Sequence, residues 1–175
     1  MSAFNSPRIL AIAPGVQHLG LAVFEGHDLL RFGVKSFEGR KREQKFLARA
    51  EQYLDRIVAA YQPDILVLEE PFYAQARLSP LLRSLIRDLK RWARRNGLRT
   101  TCYLPTTVKE RLLIGKKTRK ALADEMVRRY WFLYQYQKPG RTHRYWQQMF
   151  DAVALGLVAS EDRSSSAPPR RRSTR

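Results

Sequence analysis

Three features of the sequence predict an α/β domain with a mixed central sheet and helices on both faces. Short apolar runs alternate with amphipathic stretches from residue 8 to residue 159. The first three runs follow one another closely enough for hairpin pairing, and the later ones are separated by stretches of helix length, as parallel neighbours require. At 175 residues with 44% hydrophobic content, one such domain with a substantial core is expected.

Each element has a local reason. Residues 8 to 14 (RILAIAP) are an apolar run closed by Pro14-Gly15 and predict a buried strand entering a turn. Residues 19 to 25 and 28 to 36 predict two further strands, with Gly26-His27 in the hairpin position between them. From Arg40 to Gln62, apolar residues from Phe46 to Val58 recur at three- and four-residue spacing, so a helix is expected, stopped by Pro63. DILVLE, residues 64 to 69, is bracketed by Pro63 and Pro71 and predicts a central strand covered on both faces. A stripe from Leu78 to Trp92 predicts a second helix with an arginine-loaded outer face, capped by Gly97. Residues 98 to 104 predict the last strand. After it come Thr106 to Leu113, a basic turn, a helix from about Thr118 to Trp131 and a final helix from about Tyr145 to Ala159. The expected order is β-β-β-α-β-α-β-α-α. Residues 1–160 are assigned to this domain. Beyond Asp162 only Ser, Ala, Pro, Thr and Arg occur, and 161–175 is expected to be a disordered basic tail.

Charge narrows the function. Lys and Arg total 33 against 16 acids, a net charge of +17 with a pI near 10.7. Five of the arginines fall in residues 163 to 175, where no acid occurs, and 17 less these five leaves +12 for the rest. Solubility does not require such an excess, and a polyanion is the natural partner. No apolar run is long enough to span a bilayer, and the N-terminus lacks a basic-then-apolar layout, so neither a membrane nor an export reading is supported. Cys102 is alone and His18, His27 and His143 are scattered, which removes the Cys/His zinc patterns and points to a reducing, cytoplasmic setting.

Carboxylates at strand ends carry the candidate chemistry. The strand at 64 to 69 ends in Glu69-Glu70, and Asp151 opens DAVALGLVA, whose Ala152, Ala154, Gly156 and Ala159 let a helix lie close on a sheet. Glu69 and Asp151 are therefore expected to share a site for Mg²⁺, which prefers hard oxygen ligands. Adjacent strand residues point to opposite faces, so Glu69 is taken as the ligand and Glu70 as a supporting acid behind it. The alternatives are a solvated acidic strand end and, for Asp151, a helix cap. Lys116, Lys117, Arg119 and Lys120 open a helix whose dipole disfavours them, a conflict that a bound phosphate removes.

Four segments, in order, resemble the RuvC family of Holliday-junction resolvases, part of the RNase H-like superfamily. ILAIAPGVQHLGLAVF resembles the family's opening strand, turn and second strand, with Ala13 where the catalytic Asp falls. VLEEPF places the family's Glu at Glu69 and its DNA-facing aromatic at Phe72, with Tyr73 beside it. VKERLLIGKKTRKALADEMV places its lysines at Lys109 and Lys120, and DAVALGLVA places its Asp at Asp151, with the preceding acid or His at Gln148.

The resemblance implies an RNase H-like fold and a homodimer that resolves four-way DNA junctions by symmetric nicking. Two Mg²⁺ ions per active site are implied, with Mn²⁺ able to substitute. They would be held by Glu69, Asp151 and the residue at position 13, with Gln148 as a weak fourth ligand and Lys120 in the catalytic set. DNA contacts are implied at Phe72, Tyr73, Lys109, Lys116, Lys117 and Arg119. A nucleoid-associated location and a branch-migration complex as a further partner go with that role. Ala13 offers no oxygen, so this chain is expected to bind DNA and cut it poorly. An engineered Asp-to-Ala replacement accounts for it; natural decay to a junction-binding protein, or an RNA-binding domain on the same fold, is the alternative.

Overall fold

The computed structural model describes residues 6–37, 43–70, 80–137 and 141–166. The sheet is built from β1 (Arg8–Pro14), β2 (His18–Glu25), β3 (Asp28–Ser36), β4 (Ile65–Glu69) and β5 (Arg99–Tyr103), in the order β3-β2-β1-β4-β5. β1–β2 and β2–β3 pair antiparallel, while β1–β4 and β4–β5 pair parallel. The expected mixed sheet is therefore present, and Gly26, at φ +59°, turns the β2–β3 hairpin.

Strand alternation sorts the core into two halves. Ile9, Ala11, Ala13, Ala22, Phe24, Ile65 and Val67 face α3 (Pro105–Leu112), α4 (Arg119–Arg129) and α5 (Arg141–Ser166). Leu10, Ile12, Leu19, Val23, Leu66 and Leu68 face α1 (Glu43–Tyr61) and α2 (Pro80–Arg95). The apolar stripe of α2 belongs to that second half through Leu85, Leu89 and Trp92, all buried, and Trp92 also donates its Nε1–H to Asp55 at 2.8 Å. At the end of α2, Leu98 N–H bonds Ala93 O and Gly97 N–H bonds Arg94 O, with Gly97 at φ +70°. This is the glycine-dependent C-terminal cap that the sequence predicts.

Two elements exceed the predicted order. α3 is only eight residues long, opened by Pro105 and buried through Val108 and Leu112, too short for periodicity to announce. A 3₁₀ helix over Trp131–Tyr136 has aromatics at four of its six positions and no apolar period. α5 is also longer than expected at both ends. It runs past Asp162 to Ser166, because acids tie its last turns down. Glu161 accepts from Arg129, and Asp162 accepts from Arg111 and from the Tyr103 hydroxyl at 2.6 Å. Residues 167–175, the remainder of the expected tail, lie outside the described residues. No described helix is long and apolar enough to cross a membrane.

Candidate active site

β1 and β4 run in register from Ile9 beside Ile65 to Ile12 beside Leu68. One step further brings Ala13 level with Glu69 at the carboxyl ends of two adjacent parallel strands, the edge where open α/β sheets place their ligands. Both residues fall on the α5 face: Ala13 packs in that half of the core, and Glu69 continues the alternation of Ile65 and Val67. Ala13 is completely buried.

α5 supplies the third position by coming unusually close to the sheet. Gly20 pairs with Ala13 across β1–β2, and a Cβ on Gly20 would lie 1.9 Å from the carbonyl oxygen of Gln148. The side-chain amide of Gln148 is 3.1 Å from where a Cβ on Gly15 would sit. Gln148 thus covers the β1–β2 corner beside Ala13, and Asp151 follows one helical turn later. A second close approach, of Gly156 to Phe24 and Ala11, holds the same helix further along. Asp151 stands ten residues inside α5, which rules out the helix-cap alternative.

Electrostatics join Glu69 and Asp151. Burial, then the charge of Asp151, push the Glu69 carboxyl up to about 8, against the pull of Lys109 and Arg119. Burial likewise raises Asp151, opposed by a hydrogen bond from Gln147 and by Arg119 and Lys109. Among the described residues no ion pair discharges either carboxylate. A cation bound between the two would relieve the penalty that burial sets on their charge.

A pH dependence follows. Glu69 titrates near 8 in the folded chain and near its ordinary value, 4.5, when unfolded, so the folded state binds the extra proton between those limits. Stability of the cation-free protein should therefore fall as pH rises from about 5 to about 8, with Asp151 acting in the same direction. Glu69→Gln should flatten this slope and raise the melting temperature at pH 8, each kcal/mol relieved being worth about 2–4 °C. Thermal unfolding in chelator across that range checks it. A melting temperature that rises toward pH 8 would contradict it.

The basic residues divide. Lys109 on α3 and Arg119 at the start of α4 act on both carboxylates. Lys120, expected in the catalytic set, turns outward instead: its side chain is 80% exposed and pairs with Asp124 at 2.9 Å. Lys116 and Lys117 are exposed on the loop between α3 and α4, Lys117 lying 3.9 Å from Glu110. Glu70 is not behind Glu69. It turns toward the α2 face, where Oε2 accepts from Lys90 Nζ at 2.7 Å. Phe72 and Tyr73 lie outside the described residues.

Gln147 escaped the sequence reading. It is 1% exposed, donates Nε2–H to Asp151 Oδ1 at 3.0 Å, and its Oε1 is buried without a hydrogen-bond partner among the described residues. Its only signal was the four-residue spacing to Asp151, which places the two on one side of a helix.

The donor set fits a divalent cation in part. Glu69 and Asp151 are paired hard oxygen ligands, and the orphaned Gln147 oxygen lies beside them. Among the described residues, however, no group of three or more His, Cys, Asp or Glu forms, and the place nearest the pair on β1 is filled by a methyl group.

No protein-family model matches the chain. The crossover junction endodeoxyribonuclease RuvC of Thermomicrobium roseum is 31% identical over 127 residues, 69% of this chain and 77% of that protein. This chain belongs to the RuvC family. The RuvC of Koribacter versatilis is 26% identical over 156 residues, covering 86% of this chain and 90% of the relative. In fold, the chain is similar to T. thermophilus RuvC in complex with a Holliday junction substrate, with a TM-score of 0.71 at 21% identity over 92% of this chain and 98% of the other. The RuvC-type fold, an RNase H-like mixed sheet, is thus present, with Glu69 at the end of β4 and Asp151 facing the sheet from α5.

Proposed function

We propose that this chain binds four-way DNA junctions, and that its architecture is that of a metal-dependent endonuclease short of one carboxylate. The observation that carries this is the convergence of Glu69 and Asp151 on the α5 face beside Ala13, in a member of the RuvC family. Glu69 and Asp151 would hold Mg²⁺, or Mn²⁺ in its place, with Gln147 fixing the Asp151 carboxylate. A bound divalent cation supplies Lewis acidity toward a phosphoryl oxygen and a more acidic water. A site for two such cations would need the oxygen donor that position 13 lacks. Lys109 and Arg119 would draw the phosphate toward the carboxylates, and Gln148 would close the β1–β2 corner over it.

Resolution of a junction requires two like-polarity cuts, so a homodimer with two sites is part of the reading. Leu85, Leu89 and Trp92 of the α2 stripe pack into the chain's own core. A branch-migration partner and a place beside the nucleoid remain natural extensions of the same role.

Binding to a labelled four-way junction tests the proposal. Affinity should exceed that for linear duplex and should fall steeply with salt, the log-log slope being about −0.9 for each phosphate neutralised. Reversal of Lys116, Lys117, Arg119 and Lys120 to Glu should weaken binding by about tenfold or more, alike for every junction sequence, because phosphate contacts position DNA without reading it. Equal affinity for junction and duplex, or binding indifferent to salt, would overturn it.

A further inference from the structure

The carboxyl end of β1 is closed by a turn in which Gly15 N–H bonds His18 O at 2.9 Å. His18 opens β2 two residues before Gly20, so its side chain shares the α5 face on which Gly20 meets Gln148. The side-chain amide of Gln148 lies over the same turn. Strand order sets β1 between β2 and β4. Ala13 therefore has the strand of His18 on one side and the strand of Glu69 on the other.

The imidazole is held from two directions. Its Nδ1 is 2.9 Å from Oγ of Ser36, the residue opposite it in the β2–β3 ladder. Its ring also meets the Tyr145 ring edge-on, with centroids 5.2 Å apart, and the Tyr145 hydroxyl donates to Val34 O at 3.2 Å. His18 is nevertheless only half-buried, and no described residue bonds its Nε2. A serine hydroxyl can donate as well as accept, so Ser36 can hold Nδ1 while the neutral ring keeps its proton on Nε2. That nitrogen does not share a cation with Glu69 and Asp151: among the described residues no group of three His, Cys, Asp or Glu forms. β2 is also two strands away from β4, about 10 Å at the usual spacing. A DNA strand laid over the carboxylates and across that distance carries further phosphates, one for each ~3.4 Å of helix axis. A fixed N–H at the open edge of the sheet suits one of their oxygens.

We propose that His18, set by Ser36 and Tyr145, donates Nε2–H to a phosphate flanking the one over Glu69 and Asp151, and so positions the DNA strand in the site. The proposal rests on the junction reading and adds a positioning residue to it. The full chain is titrated with labelled four-way junctions, each carrying one uncharged methylphosphonate at a successive position around the exchange point. At one position the modification should weaken binding to the parent by about tenfold, the worth of a hydrogen bond to a charged group. His18→Ala should weaken binding to the unmodified junction by the same factor and be indifferent to the methylphosphonate at that position. His18→Gln, which carries an N–H near the place of Nε2, should keep the sensitivity. His18→Asn, which reaches only the place of Nδ1 and so keeps the link to Ser36, should lose it; this variant decides the matter should His18→Ala melt early. Equal losses for parent and variants at every position would overturn the proposal, and so would an Asn variant as sensitive as the parent. A parent that binds junction and duplex alike would instead remove the junction reading itself.

Discussion

Gly20→Ala should destabilise this protein by about 3 kcal/mol, the upper end of what overpacking usually costs. Replacing a strand glycine by alanine ordinarily gains about 0.5–1 kcal/mol, because alanine has less backbone freedom to lose. Here the sign reverses. The new Cβ would lie 1.9 Å from the carbonyl oxygen and 2.3 Å from the carbonyl carbon of Gln148. Backbone in the middle of a buried helix cannot swing aside as a side chain can, so α5 must lift away from β1 and β2. For a chain of this size the melting temperature should drop by about 6–12 °C. Lifting α5 also carries Asp151 away from Glu69, so cation binding should weaken with stability.

Gly33→Ala is the matched control. Gly33 is also a strand glycine, in β3, but none of the described residues lies within 4 Å of its added Cβ, and this change should be neutral or slightly stabilising. Gly156→Ala should fall between the two, since it meets the edge of the Phe24 ring at 2.5 Å and a ring can tilt. A Gly20→Ala protein that melts with the parent would mean that α5 does not sit where its close approach places it, and the site geometry would fall with it.

Much of this architecture is legible in the sequence because burial on both faces leaves a plain signature. DILVLE between two prolines could hardly be other than a central strand, and its period of two assigns Glu69 and Glu70 to opposite faces. The small residues of DAVALGLVA mark the helix that must lie close. The longer range of side chains is not legible. Glu70 finds Lys90, twenty positions away, only once α2 is laid on the sheet. Arg119 and Lys120 are neighbours in sequence, yet each helical residue turns about 100°. The rotation of α4, set by Leu122, Ala123 and Met126 in the core and by the Thr118 cap, decides which of them acts through its charge on the carboxylates. Gln147 and Gln148 are likewise neighbours in the sequence, and only the packing of α5 decides that Gln147 donates to Asp151 while Gln148 covers the β1–β2 corner.

The largest functional effect is expected at position 13. Ala13 is fully buried between Gly20 and the end of β4, on the same face as Glu69 and Asp151. Ala13→Asp would add a third carboxylate to a pair already raised by burial, Glu69 also by the charge of Asp151. Without cation this should destabilise the protein, because a further charge is buried unpaired. With divalent cation the order should invert, since three carboxylates complete a hard oxygen set. The cation-induced rise in melting temperature should therefore be much larger than in the parent, whatever its activity. Cutting should appear as well. Each ~1.4 kcal/mol of barrier removed is worth tenfold in rate, and a properly held metal supplies several kcal/mol.

The measurement that bears most directly on the account is cleavage of a labelled four-way junction by the Ala13→Asp protein, with Mg²⁺ and with chelator, beside the same protein also carrying Glu69→Gln. Paired nicks on two strands of like polarity should appear only for the single variant and only with Mg²⁺. An Ala13→Asp protein that folds, binds the junction and stays inert across junction sequences and with both Mg²⁺ and Mn²⁺ would contradict the view that one missing carboxylate separates this chain from a resolvase.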